Sequence, residues 1–149
     1  MREIKFRYYD STIKQFIYSD EFSYPGICER LEMFFGKARN YSEDVIQQYT
    51  GLKDKSGKEI YEGDILKEHH YEDWGDEEGF EYVGVVRYRT YSNDAGNQFS
   101  GFVTYPNLRN NKGYAGNPIQ VDCEVIGNIF ENSDLLNHSQ RFINQSLNR

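Results

Sequence analysis

The stretch TGLKDKSGKEIYEGDIL, residues 50–66, decides between a ligand-binding loop and a turn-rich entry into a β-sheet. In Asp54-Lys55-Ser56-Gly57 the glycine stands where a positive φ is easily reached, and Lys58 to Tyr61 then runs out extended. That is the pattern of a tight hairpin or of a type I turn followed by a bulge. Glu62-Gly63-Asp64 makes a second reversal, in which the Asp64 carboxylate can accept backbone amides and fix the start of Ile65-Leu66. Gly57, Gly63 and Asp64 are therefore read as structural turn residues. A phosphate cradle would need two glycines separated by four residues, followed by Lys and Ser or Thr at the start of a helix. Here Gly57 and Gly63 lead into a strand instead.

Working outward, short strands are expected at DVIQQYTGL, DILKEHHY, FEYVGVVRYRTY, QFSGFVTY and CEVIGNIF, separated by Gly, Asn and Asp clusters. Such spacing suggests a small barrel or sandwich, and Gly84 is placed where a barrel strand would bend sharply. The best architecture is a mainly β protein with minor α content: a five-stranded, strongly bent, SH3-like β-barrel. Ahead of it, Ile4, Phe6 and Tyr8 alternate with Lys5 and Arg7, the two-residue period of a strand with one buried face. Asp10-Ser11-Thr12 then turns the chain into a second strand, giving an N-terminal β-hairpin. ICERLEMFFGKARN places Ile27, Leu31, Phe34 and Phe35 near helical spacing, and reads either as a short helix ending at Gly36 or as an irregular connector. Pro106 to Pro118 is polar and glycine-rich, a mobile loop by composition. In NSDLLNHSQRFINQSLNR, Asn132 or Ser133 suits an N-cap ahead of Leu135, Leu136, Phe142, Ile143 and Leu147, so a short C-terminal helix is expected. The expected parts are a hairpin and connector over 1–44, a barrel core over 45–131 and the helix over 132–149, forming one compact unit.

Composition agrees with a sheet, since 16% of the residues are aromatic, with 13 Tyr and 10 Phe against one Trp, and rings favour pleated, half-buried surfaces. No run approaches the ~18 apolar residues of a membrane span, and MREIKFRYYD has no signal-like apolar core, so a cytoplasmic protein is expected. Cys28 and Cys123 lack CxxC companions and read as reduced core thiols. The net charge of −7 has a local origin. EHHYEDWGDEEGFE, residues 68–81, holds seven of the 24 acids and none of the 17 Lys and Arg. The charges of the remaining chain balance, which argues against a broad basic surface for nucleic acid.

Three groups carry candidate chemistry. His69 and His70 lie among Glu68, Glu72, Asp73, Asp76 and Glu77, donors that suit zinc, manganese or iron in a metal-dependent hydrolase. Adjacent strand residues point to opposite faces, however, and no HExxH spacing is present, so a solvated acidic loop is the better reading and no metal or cofactor is expected. In that loop Trp74, with Asp73, Asp76, Glu77 and Glu78, forms a candidate surface for a basic partner or a basic groove that normally holds phosphates. In VRYRTY, Arg87 and Arg89 with Tyr88 and Tyr91 have the residue types of a nucleic-acid stacking surface. Alternation along the strand puts the arginines on one face and Tyr88 with Val86 on the other, so a half-buried strand explains them more simply. Catalytic nucleophile arrangements are absent: Cys28 and Cys123 have no adjacent histidine, and His138 falls in the expected terminal helix.

Three segments in order, REIKFRYYD (2–10), QYTGLKDKSGKEIYEGDIL (48–66) and EVIGNIFENSDLL (124–136), resemble the YopX family of phage and prophage proteins. The intervals between them, above all 68–81 and the loop after Tyr105, are particular to this chain. The resemblance implies a mostly β protein of phage or prophage type, with no established activity and no catalytic residues to carry over. The expected function is non-enzymatic binding of a host or phage protein, with self-association through aromatic-rich strand edges. The alternatives are nucleic-acid binding through Arg87 and Arg89, and the metal-dependent hydrolase.

Overall fold

A computed structural model describes residues 3–22, 26–38, 46–70, 80–92, 96–105, 117–120 and 122–136. The chain divides into two compact units, Met1–Leu52 and Lys53–Arg149. It is mainly β, with one α-helix among the described residues.

In the first unit, β1 (Phe6–Asp10) and β2 (Gln15–Tyr18) form the expected hairpin, in register from Arg7 opposite Tyr18 to Asp10 opposite Gln15. Asp10 Oδ1 closes the turn by accepting the amides of Thr12 and Ile13. On its other edge β1 pairs antiparallel with β3 (Ile46–Lys53). A 3₁₀ turn over Ser19–Glu21 follows β2, and the buried Ser19 hydroxyl accepts the Phe6 amide at 3.0 Å.

The segment left open between helix and connector is helix α1, Ile27–Ala38. It runs through Gly36 rather than ending there, because the apolar spacing continues to Ala38. Phe34 and Ala38 are buried against Tyr8, with Phe6, Ile17, Phe22, Phe35 and Ile46 packed around them. Phe34 is the centre of this cluster, with its ring centroid 5.2 Å from those of Tyr8 and Phe35 and 6.1 Å from that of Phe22. Truncating a core phenylalanine of this kind costs about 3–5 kcal/mol.

The expected alternation in β1 holds for Phe6 and Tyr8 but not for its neighbours. Ile4 precedes the strand and is exposed, whereas Arg7 is 4% exposed. The Arg7 guanidinium lies 4.2 Å from the centroid of the Phe16 ring, and its Nε donates to Gln47 Oε1 at 2.8 Å. A charge is thus buried on the face where a solvated lysine-like side chain was expected, because rings and an amide from two other strands replace its water.

The second unit holds a five-stranded sheet, all antiparallel in the order β8-β7-β6-β5-β9; the expected barrel strand DVIQQYTGL is not in it, because β3 pairs with β1, and β8 makes up the fifth strand. After the short β4 (Glu59–Tyr61) come β5 (Asp64–His70), β6 (Phe80–Ser92), β7 (Gln98–Tyr105), β8 (Asn117–Pro118) and β9 (Glu124–Asn128). The sheet is strongly curled into a half-barrel. Strand β8 falls at the end of the segment expected to be loop, pairing with Val103 and Thr104. The rest of that segment, 106–116, lies outside the described residues. Residues 137–149 of the expected C-terminal helix lie outside them too, and over 132–136 the chain makes turns, with Leu135 N donating to Asn132 O and Leu136 N to Ser133 O.

One hydrogen bond reports the curl. Glu68 lies opposite Tyr82, and Thr104 lies opposite Val86. In a flat sheet those two residues would sit two strands and four residues apart, about 10 Å by 13 Å. Yet Thr104 Oγ1 donates to Glu68 Oε2 at 2.9 Å across the concave face. Gly84 contributes space here: a Cβ would come within 3 Å of the Tyr82 ring and hydroxyl. A β-bulge between Ile65 and Leu66, where β5 meets β9, adds local twist. The core of this unit is Ile60, Leu66, Val86 and Cys123, with Phe102, Ile119 and Val125 packed against it.

Candidate functional site

The opening stretch is structural throughout. Gly57 N donates to Asp54 O at 2.9 Å and Asp54 N to Lys58 O at 2.8 Å, a turn with a bulge, and Gly57 has φ +87°. Asp54 accepts from the Ser56 amide and hydroxyl and from the Lys58 amide, and its second oxygen takes the Val125 amide at 3.0 Å. Burial raises the pKa of this carboxyl, but those four donors outweigh burial and bring it down to about 2. The second reversal has Gly63 at φ +80°, and Asp64 Oδ2 accepts the Tyr61 amide at 2.8 Å. Its Oδ1 accepts from Asn128 Nδ2. Both turns are therefore fastened to β9, which explains why an aspartate stands in each.

The acidic segment divides differently from its sequence reading. Glu68 is not the start of a solvated loop. It lies within β5, is buried, and accepts from Thr104 Oγ1 and from the Gln120 amide at 3.1 Å. His69 is half-buried opposite Glu81, and His70 ends the strand opposite Phe80. Glu81 is exposed on β6 and pairs with Lys67 at 2.6 Å. Asp73, Trp74, Asp76, Glu77 and Glu78 lie outside the described residues. Among the described residues, no three of His, Cys, Asp and Glu come together as metal ligands.

Strand β6 is 13 residues long and changes partner along its length. Its first part pairs with β5 as far as Val85, and from Val85 to Ser92 it pairs with β7. Beyond Val85 the two strands run on as a ribbon that β5 does not flank. Tyr88, Arg89, Thr90 and Ser92 are exposed, as are Gln98, Phe99 and Ser100. Consecutive strand residues point to opposite faces, so both faces meet solvent at the far end of the ribbon, whereas Val86, Val103 and Thr104 at its base are buried.

Register assigns the side chains to faces. Arg87 lies opposite Val103, Arg89 opposite Gly101 and Val85 opposite Tyr105, while Phe99 also falls in this alternating set. One face, called here the outer face, thus carries Arg87, Arg89, Phe99, Gly101 and Tyr105, together with Val85 and Val103, which are buried. The Arg89 guanidinium carbon is 5.5 Å from the Tyr105 ring centroid. Phe99 is 46% and Tyr105 44% exposed. The other face carries Tyr88, edge-on to Phe102 at 5.2 Å, and Thr90 hydrogen-bonded to Ser100.

Alternation along β6 alone correctly separates Arg87 and Arg89 from Tyr88. It misses the rings that β7 delivers to the arginines' own face. The signal that could have found them is the hairpin register itself, since pairing VRYRTY with QFSGFVTY across a short turn places Phe99 and Tyr105 on that side.

The profile of the family described as YopX protein matches residues 5–137. No match was found among curated protein sequences. Among solved structures, the chain is similar to protein EF1440 from Enterococcus faecalis, with 23% identity over 91% of this chain and 99% of that one, and a TM-score of 0.43. With nearly its whole length matched by the family profile, the chain belongs to the YopX family.

Proposed function

We propose that this YopX-family chain acts by binding rather than by catalysis, and that its contact surface is the outer face of the β6–β7 ribbon. The observation that carries this reading is a two-stranded ribbon whose far end has solvent on both faces and displays Phe99, with Tyr105 exposed at its base opposite Val85. A ribbon of two strands gains little stability without packing on a third element. Rings exposed on such an element offer apolar area to a partner.

The groups with chemical potential elsewhere in the unit support the same reading. Asp54, Asp64 and Glu68 are engaged with amides and hydroxyls that the fold needs. The Cys123 thiol is buried, and burial, reinforced by Glu68, pushes its pKa up to about 11, away from nucleophilic use. The family's phage and prophage setting fits a small adaptor in the cytoplasm of a bacterial host, and the curled five-stranded sheet fits an SH3-like barrel.

The test is affinity isolation from host cells with the wild-type chain and with the Arg89→Ala/Phe99→Ser variant. A component recovered with the wild type and lost with the folded variant supports the ribbon as the contact surface. Equal recovery by both places the contact elsewhere and refutes this reading.

A further inference from the structure

We infer that the outer face of the β6–β7 ribbon takes single-stranded nucleic acid, with Arg87 and Arg89 on phosphates and Tyr105 and Phe99 stacking on bases. This rests on the ribbon being the contact surface, and it adds the class of ligand. Three observations favour that ligand.

The first is the sign of the local charge. The chain as a whole is −7, but between residues 82 and 105 the charged side chains are Arg87, Arg89 and Asp94. Among the described residues of the ribbon, Arg87 and Arg89 are the charged ones, so this face carries positive charge of its own toward a polyanion despite the net charge.

The second is the mixing of cations with rings on one face. Arg89 lies over Tyr105 at 5.5 Å, and guanidinium and aromatic planes both offer a flat surface to a base. Sequence alternation alone removes this feature, because it considers one strand at a time. The third is the floor between the rings. Gly101 faces Arg89 in the register, and a Cβ there would meet nothing within 4 Å. Between Phe99 and Tyr105, roughly 20 Å apart along the strand, the ribbon thus has one step without a side chain, at Gly101 beside Phe99, ahead of the buried Val103. A ligand combining regular negative charge with unpaired planar faces matches all three features. An acidic peptide matches only the first.

The experiment is fluorescence anisotropy of a labelled oligo(dT), and separately oligo(U), titrated with the full chain at several salt concentrations. Binding should weaken with salt, with a slope of log K against log salt of roughly −0.7 for each phosphate contacted. Arg89→Ala should lower the slope by about that amount, and Phe99→Ser should weaken binding by about tenfold at unchanged slope. Tyr88→Ser, on the opposite face, should leave affinity unchanged, with circular dichroism confirming that each variant is folded. Salt-insensitive binding, or equal loss with Tyr88→Ser, overturns the inference. Absence of binding at low salt also overturns it. In that case, retained capture of a host protein, or a concentration-dependent dimer broken by Arg89→Glu, keeps the ribbon as contact surface with a different occupant. Absence of all three removes both readings.

Discussion

Asp64 and Asn128 are both buried and joined by a hydrogen bond of 3.2 Å from Asn128 Nδ2 to Asp64 Oδ1. The bond ties the EGD turn to the end of β9. Each residue also organises its own strand end: Asp64 accepts the Tyr61 amide, and Asn128 Oδ1 accepts the Phe130 amide at 3.0 Å. The Gly63 amide donates to Val86 O, and Gly63 O accepts from Ile129. Two segments that resemble the family most closely in sequence are thus one fastening in space.

Removing either side chain leaves buried amides without their acceptors. Asp64→Ala and Asn128→Ala should each lower stability by about 2–3 kcal/mol in urea unfolding. In a double-mutant cycle their effects should fall short of additive by roughly 1 kcal/mol. Strict additivity would mean that the two residues act independently.

Asp54 predicts an acid limb. Its folded pKa of about 2 lies below the ordinary carboxyl value, held there by hydrogen bonds that outweigh burial. Since the unfolded chain binds the proton more tightly, this stabilisation is complete above pH ~4 and is lost as pH falls through the folded value near 2. Thermal melts from pH 5 to 2 should show a steeper fall in Tm for the wild type than for Asp54→Asn. Parallel curves would assign the acid limb to other groups.

The two cysteines, read alike from sequence as core thiols, differ in the structure. Cys28 is exposed on α1 and Cys123 is buried, its thiol pushed up to about 11 by burial. At pH 8 an aromatic disulfide reagent should modify one thiol rapidly in the native protein and the second only on unfolding. Two fast thiols, or none, would contradict the packing of Cys123.

The ribbon should open more readily than the sheet core. Tyr88, Arg89, Thr90, Ser92 and Gln98 to Ser100 are exposed, whereas Leu66 and Val86 are fully buried. Hydrogen exchange of the ribbon should occur by local opening, insensitive to low urea, while Leu66 and Val86 exchange only with global unfolding. Core-like protection throughout the ribbon would mean that it is covered.

What was legible in the sequence followed from local chemistry. Strands β3, β5, β6, β7 and β9 were marked by β-branched and aromatic runs between turn residues, and Gly57, Gly63 and Asp64 by the turns they make. What was not legible depends on distant partners. Arg7 is buried because Gln47, 40 residues away, and the Phe16 ring receive it. Glu68 leaves the acidic run for the core because Thr104 and Gln120, 36 and 52 residues on, donate to it. A charge-rich string cannot announce which of its members has such donors. The continuation of α1 past Gly36 rests on Ala38 packing against Tyr8 and Phe34, which outweighs a glycine penalty of about 1 kcal/mol. At the candidate site, the arginines were visible in sequence, and their rings became visible only with the β6–β7 register.

The central claim is that the ribbon is where this protein meets its partner. Its most direct measurement is site-specific photo-crosslinking in host cells, with the photoreactive residue placed at Phe99 and, as a comparison, at Ile13. Both positions are large and exposed, at 46% and 53%, but Ile13 belongs to the β1–β2 turn of the other unit. Position 99 should give a discrete adduct and position 13 none. Adducts from position 13 alone, or equally from both, would contradict the claim.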